Sequence, residues 1–367
     1  MAACAFLVTL AALLRFQVYE SVLVLPLEQG RTYRMAAQNA SYMDMGTLTP
    51  RTGVPIVSTT TLSGDASAGN ENVAVWAEFT SLTTPDGERV DYHERRTAFD
   101  RRTGMAVDCC GAYVDEDARA RQEGLAFRLP YRAEPRSYPM YDTVLRRAVP
   151  LRFERVEEVQ GITTYRYTYT AGPIKIEDLP GDIPGRVLGL PKWRSISVSR
   201  YAQVTRTLWV EPESGLTVKA EERHRQGLRT PDGIERRVSL DANLVMPPDE
   251  VAVKVGDARA FLRWVLLVRD LLPGVFLLAG LAVGLLAVRP RRSVPGEPAG
   301  PVEPEAPDDS GGPGERETPD VPGGSAEPED PDALGGPEKP ETSDAPDGPA
   351  EPEDRETAEK LEEVGER

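Results

Sequence analysis

The sequence predicts a mainly β fold: a duplicated antiparallel β-meander ectodomain between two transmembrane helices, followed by a disordered tail. Three observations carry that class. Residues 271–288 form an uncharged apolar run of 18 residues, long enough to cross a bilayer as a helix. Residues 27–260 alternate aromatic and β-branched side chains with glycine-bearing turns. After residue 292 the composition breaks: residues 293–367 hold 24 acidic and 5 basic side chains and 15 of the 33 prolines. With almost no large apolar groups, that acidic, Pro-rich segment cannot bury enough surface to offset the entropy of ordering. Its charge of −19 exceeds the −16 of the whole chain, so residues 1–292 are close to neutral. Neither part carries the basic footprint of a nucleic-acid binder.

The elements follow in chain order. Residues 1–14 are apolar, but at about 1.5 Å per residue they reach about 21 Å, short of a hydrocarbon core of about 30 Å. No basic start and no Ala-x-Ala-like site marks them as a secretory signal. Continuing past Arg15, which can snorkel, through Phe16, Val18 and Tyr19 makes residues 1–26 an N-terminal anchor. A basic leader and a few further apolar residues are expected upstream of Met1. At the other end, residues 261–292 comprise an amphipathic lead-in, with Trp264 at the outer interface, and the transmembrane helix itself. Arg289, Arg291 and Arg292 follow the helix directly, and the positive-inside rule places the tail behind them in the cytoplasm. The expected arrangement is a two-span plasma-membrane protein with both termini cytoplasmic and residues 27–260 outside. Gly280-x-x-x-Gly284 allows a second helix backbone to approach closely, either the first span or another copy in a homo-oligomer.

Within 27–260, residues 72–79 and 162–169 read as strands, with Tyr165, Tyr167 and Tyr169 on one face and Thr164, Arg166 and Thr168 on the other. Turns ending in Gly87, Gly104, Gly215 and Gly233 place glycine where hairpins need a positive φ. Arg96-Thr97-Ala98-Phe99 with Gly104-Met105-Ala106-Val107 parallels Arg206-Thr207-Leu208-Trp209 with Gly215-Leu216-Thr217-Val218. This repeat suggests two related modules, about 27–150 and 151–260. Residues 179–191 are too rich in Pro and Gly for regular structure. No stretch of 27–260 makes a convincing amphipathic helix, with 114–124 the one short candidate.

Several strings together resemble an actinobacterial membrane-protein family labelled porin PorA. They are Val24-Leu25-Pro26-Leu27, Asp108-Cys109-Cys110-Gly111 after Phe99-Asp100-Arg101-Arg102-Thr103-Gly104, Ser137-Tyr138-Pro139-Met140-Tyr141-Asp142 before Arg146-Arg147-Ala148-Val149-Pro150, and Arg206-Thr207-Leu208-Trp209-Val210-Glu211-Pro212. The resemblance runs from about residue 13 to 288 and implies an anchor, an extracytoplasmic domain and a second anchor. The short first span and the long acidic tail depart from the family's pattern.

The chemistry-bearing residues are few. Cys109 and Cys110 are adjacent; as an oxidised pair they form a vicinal ring or bridges to another chain, and the third reading is a redox-active or free pair. Three cysteines, of which Cys4 lies inside the first span, and two histidines make a metal site hard to assemble. His93 and His224 sit beside arginines in strands expected to be half exposed, and Glu157-Glu158 and Glu221-Glu222 are consecutive, so on a strand they point to opposite faces. No nucleophile elbow, phosphate loop or dinucleotide fingerprint appears, so neither catalysis nor a cofactor is expected. The doublets Arg95-Arg96, Arg101-Arg102 and Arg146-Arg147 suit interspersed surface charge or a polyanionic ligand. The reading that remains is a membrane-anchored cell-envelope protein whose β domain binds an envelope lipid, wall polymer or partner non-catalytically. The alternatives are a porin-like channel made by oligomerisation and a purely structural assembly role.

Overall fold

The predicted glycine turns become hairpin turns of one large antiparallel sheet in the computed structural model, which describes residues 2–288. Gly87, Gly104, Gly215 and Gly233 all have positive φ, between 68° and 84°. The first strands are β1 (Gly30–Asp44), β2 (Thr49–Gly64), β3 (Val73–Thr83) and β4 (Arg89–Asp100), followed by short β5 (Ala106–Val107) and β6 (Tyr113–Val114). Then come β7 (Tyr138–Asp142), β8 (Arg147–Val159), β9 (Ile162–Asp178), β12 (Ser199–Glu211), β13 (Leu216–Arg229) and β14 (Glu235–Val245). Residues 179–198 form an excursion containing only the two-residue strands β10 (Ile183–Pro184) and β11 (Ser195–Ile196).

The sheet order is β5-β4-β3-β2-β1-β14-β13-β12-β9-β8-β7, with β6 beside β4. Pairing of β1 with β14 joins the first and last strands at the centre of the sheet. The two edges are stitched together by residues 124–126. Ala106 N donates to Gly124 O and Ala126 N to Gly104 O on one side, while Leu125 N donates to Pro139 O and Tyr141 N to Leu125 O on the other. Curling the sheet until its edges share one segment removes the exposed edges that would otherwise template aggregation. Gly124 is central to that seam: its φ is +85° and a Cβ there would lie 2.7 Å from the Pro139 carbonyl oxygen. Gly124→Ala is therefore expected to cost about 1–3 kcal/mol, read as a lowered melting temperature of the full chain. An unchanged melting temperature would mean the seam does not hold the barrel closed.

The two copies of the repeated motif occupy comparable hairpins but differ in facing. Arg206 lines the interior, whereas Arg96 lies outside, paired with Asp65 at 2.8 Å, and its neighbour Arg95 is the buried one. A one-residue slip in a strand exchanges the faces.

The N-terminal anchor is helical as α1 (Ala2–Leu13), a π-helical turn over Leu14–Val18, and α2 (Tyr19–Val22). The C-terminal helical segment starts earlier than expected: α3 (Pro248–Val265) precedes a π-helical turn (Leu266–Leu271) and α4 (Leu272–Val288). This corrects the expectation that 27–260 holds no amphipathic helix. Proline sits in the first turn with Asp249 and Glu250, which suit a helix N-terminus. Val251, Val255, Ala258 and Leu262 pack on the sheet core. The stripe is narrow and interleaved with Lys254, Asp257 and Arg259, which hides it from a search for broad apolar faces. Residues 114–124, the one helix candidate, are turns and a bridge instead, because Gln122 is drawn to Thr97 and Arg96 and Asp115 to His93 and Glu94.

α1 crosses α4 at the glycines. A Cβ at Gly280 would lie 3.3–3.4 Å from Leu7, Cys4 and Val8, and one at Gly284 would lie 3.2 Å from Cys4 Sγ. The π turns meet as well, since Arg15 Nη1 donates to the Arg269 carbonyl at 2.7 Å and pairs with Asp270 at 2.8 Å. Arg289, Arg291 and Arg292 and the acidic tail lie outside the described residues.

Candidate ligand-binding cavity

Curling the sheet gives it an inner face, and that face is not filled. A cavity of about 490 Å³ is lined from β1, β2, β3, β4, β12, β13 and β14, from the β7–β8 turn, and from α3. A volume of this size suits a small ligand or one apolar chain. Strand register orders its lining in cross-strand rows. Tyr33 pairs with Thr60, Thr60 with Thr80 and Thr80 with His93; two residues along each strand, Arg31, Leu62, Glu78 and Arg95 pair in the same succession. Across the cavity Arg206 pairs with Glu222, and Ala220 with Leu208. The start of β1 and the end of β14 lead directly to the helical segments, so Arg31, beside the first residue of β1, lies at the helix end, whereas Glu78 and Arg95 are mid-strand in β3 and β4. Pro26, Arg31 and Ala260 there are exposed, while Arg95, Glu222 and His224 are buried. The cavity thus has a mouth beside α3 and a closed, polar floor. The apolar part of the lining is Leu62, Trp76, Phe127, Leu208, Leu216 and Met246.

The floor holds charge in matched sets. Arg95 Nε meets Glu78 at 2.9 Å, and Arg206 Nε meets Glu222 at 2.6 Å. Arg206 also faces buried Asp142 at 3.8 Å, which accepts a hydrogen bond from the Tyr169 hydroxyl, and Glu222 contacts His224. His93 lies between Asp115 at 3.0 Å and Asp91 at 3.7 Å, and Arg146 backs Asp115 at 3.0 Å. Burial alone would discharge these groups, but their partners reverse it. Burial works to lower His93, yet hydrogen bonds to Asp115 and Asp91 hold it up at about 10. Burial works to raise Asp91 and Glu222, yet His93 holds the first and Arg206 the second at about 2. Burial raises the Tyr33 phenol beyond its ordinary range. Arg95 Nη1 and His224 Nδ1 have no hydrogen-bond partner among the described residues.

The expectation of half-exposed, solvated histidines is corrected: both are turned into the barrel, with side chains 16% and 7% exposed. Arg95 likewise leaves the surface-charge reading, its residue being 3% exposed. A period-2 reading was able to find these residues, because Asp91, His93 and Arg95 alternate on β4 and Glu222 and His224 on β13. Alternation alone does not say which face is inside.

Other candidate residues lie elsewhere. Cys109 and Cys110 sit between β5 and β6 with Cα atoms 3.8 Å apart and their sulfurs together as a vicinal pair, away from the cavity lining. Gly280 and Gly284 lie at the crossing of the two apolar helices. Both helical segments are long and apolar enough to cross a membrane.

Comparison with known proteins gives two findings. A Porin PorA of Corynebacterium resistens is 24% identical, over a match that covers 35% of this chain and 45% of that protein. The match therefore spans less than half the length of that curated relative. The sequence model of the family described as Porin PorA matches residues 1–289, which takes in both apolar helices and the whole curled sheet between them. That coverage is well over half of the 367 residues, and the chain belongs to the Porin PorA family.

Proposed function

We propose that this protein is a membrane-tethered cell-envelope protein whose extracytoplasmic β domain holds an envelope amphiphile in its cavity without transforming it. The observation that carries the reading is the cavity itself: enclosed, partly apolar, and open beside α3, the helix that continues into the apolar span. Its inner carboxylates are engaged, Glu78 by Arg95, Glu222 by Arg206 and Asp91 by His93. Two spans, cytoplasmic termini and an outward β domain are the topology we propose, supported by the two apolar helices and by Arg289, Arg291 and Arg292. Cys109 and Cys110 are proposed as a structural vicinal disulfide. The fit of α1 on Gly280 and Gly284 supports use of that face within one chain rather than between copies.

The family's label suggests a channel. A pore built from these strands requires an apolar outer band. The outer faces instead carry ion pairs, among them Arg166 with Glu154 at 3.1 Å, Lys219 with Glu221 at 2.9 Å and Arg225 with Glu235 at 2.6 Å. A channel made by several copies of the helices is the second reading.

Native mass spectrometry of the full chain, extracted in a mild detergent, tests the first reading. A retained lipid is expected, together with an occupancy at least about tenfold lower in Ala220→Trp, which fills the cavity at a packing cost of about 1–3 kcal/mol. Absence of any retained lipid, with discrete conductance steps in planar bilayers that survive Ala220→Trp, would replace it by the channel.

A further inference from the structure

We infer that the occupant is an anionic amphiphile seated tail-first, with its phosphate or carboxylate head at the cavity mouth against Lys254, Arg128 and Arg31 and its chain along the apolar lining. This rests on the amphiphile reading and adds the head's charge and orientation.

Charge is balanced at the floor of the cavity and unbalanced at its mouth. At the floor the cations are matched: Arg95 by Glu78, Arg206 by Glu222 and Asp142, and His93 by Asp91 and Asp115. At the mouth three cations face a single lining carboxylate, Asp257, which pairs with Arg31. Lys254 has no carboxylate in ion-pair reach among the described residues and lies 5.2 Å from the Tyr33 ring centroid. Arg128 donates from Nη2 to the Ser214 carbonyl, and its Nε finds no acceptor among the described residues. The other carboxylates near this end are engaged elsewhere. Glu250 pairs with Arg34 at 3.3 Å. Glu211 accepts from the amides of Glu213 and Ser214, and Glu213 faces Arg132, Arg269 and the Tyr19 hydroxyl. Burial lowers the Arg128 guanidinium and Arg31 adds to this, and the opposing effects of Tyr131 and Glu211 do not offset them.

An anion at the mouth completes the set, and charge-assisted hydrogen bonds from Arg and Lys are the strong kind. Beside these cations the lining residues Leu62, Trp76, Phe127, Leu208, Leu216 and Met246 offer apolar surface for a chain and nothing for a charge. The mouth is flanked by Phe261, stacked on Tyr131 at 5.4 Å and next to Trp264 at 5.8 Å. Aromatic rings of this kind favour the boundary between headgroups and acyl chains, where an amphiphile enters chain-first from the bilayer side.

The test uses the full chain in nonionic detergent and two probes that differ in head charge but share one oleoyl chain: lysophosphatidylglycerol and lysophosphatidylcholine. Native mass spectrometry is expected to show at least about tenfold preference for the anionic probe. Lys254→Glu and Arg128→Gln should each cut that preference at least about fivefold with the melting temperature retained. The floor variants His224→Gln and Thr80→Val should leave the preference intact. Inorganic phosphate at the probe's concentration should not compete. Equal binding of the two probes overturns the inference while leaving the amphiphile reading in place. Loss of preference confined to the floor variants moves the head to the floor and also overturns it. Competition by phosphate alone reduces the mouth to a simple anion site, and binding of neither probe removes the amphiphile reading itself.

Discussion

Arg206→Met is expected to destabilise the β domain by about 3–5 kcal/mol, the range for removing one partner from a buried ion pair. The guanidinium holds Glu222 at 2.6 Å and reaches Asp142, which is fully buried, at 3.8 Å. Methionine fills most of the volume and so isolates the loss of charge from the loss of packing. Two carboxylates would then face His224, Tyr169 and one another without a guanidinium between them. For a domain of this size each kcal/mol corresponds to roughly 2–4 °C of melting temperature, so a fall of about 6–20 °C is expected. Adding Glu222→Leu to Arg206→Met should recover part of that loss, since an absent pair costs less than a broken one. Thermal unfolding of the full chain in detergent checks both variants. A single-variant loss below about 1 kcal/mol would show that the pair is well solvated and the cavity floor is not a closed one.

The second large effect is a stability profile that falls on both sides of a narrow maximum. In the folded chain Glu222 and Asp91 are held at about 2, against ordinary values of 4.5 and 3.8. Their contribution is therefore complete above about pH 4.5 and is lost as pH falls toward 2. His93 is shifted the opposite way, from 6.5 to about 10. Its contribution is complete below about pH 6.5, where the unfolded chain also carries the proton, and is lost as pH rises toward 10. The highest melting temperature is thus expected between about pH 4.5 and 6.5, with an alkaline decline that most proteins lack over this range. His93→Gln should flatten the alkaline limb and shrink the Asp91 part of the acid one, leaving the part that Arg206 confers on Glu222. A wild-type melting temperature that holds constant from pH 6.5 to 9 would contradict the placement of His93 between Asp91 and Asp115.

Part of this architecture was legible along the chain because its causes are local. A positive φ at Gly87, Gly104, Gly215 and Gly233 is a property of each turn, and the four hairpins follow from it. The apolar length of α4 and the Gly280/Gly284 pair are equally local, and so is the alternation of Tyr165, Tyr167 and Tyr169, of which Tyr167 and Tyr169 are buried. Helix α3 escaped notice because three of its four core contacts are valine or alanine among charged neighbours, too narrow an apolar stripe to stand out before its partner sheet is known.

By itself, then, the sequence determined the class of the fold, its hairpin turns, its flanking apolar helices and its family, since each depends on residues near one another in the chain or on motifs read whole. Only the tertiary structure decided which face of each strand is inside. Closure depends on residues 124–126 pairing with both sheet edges at once, a contact between segments whose patterns do not announce each other. That closure turns Asp91, His93, Arg95, Arg206, Glu222 and His224 into a buried, charge-matched floor and leaves Lys254 and Arg128 at the mouth. Alternation along a strand separates two faces but carries no sign. The physical reason is that inside and outside are properties of the closed sheet, settled by which contacts exclude water.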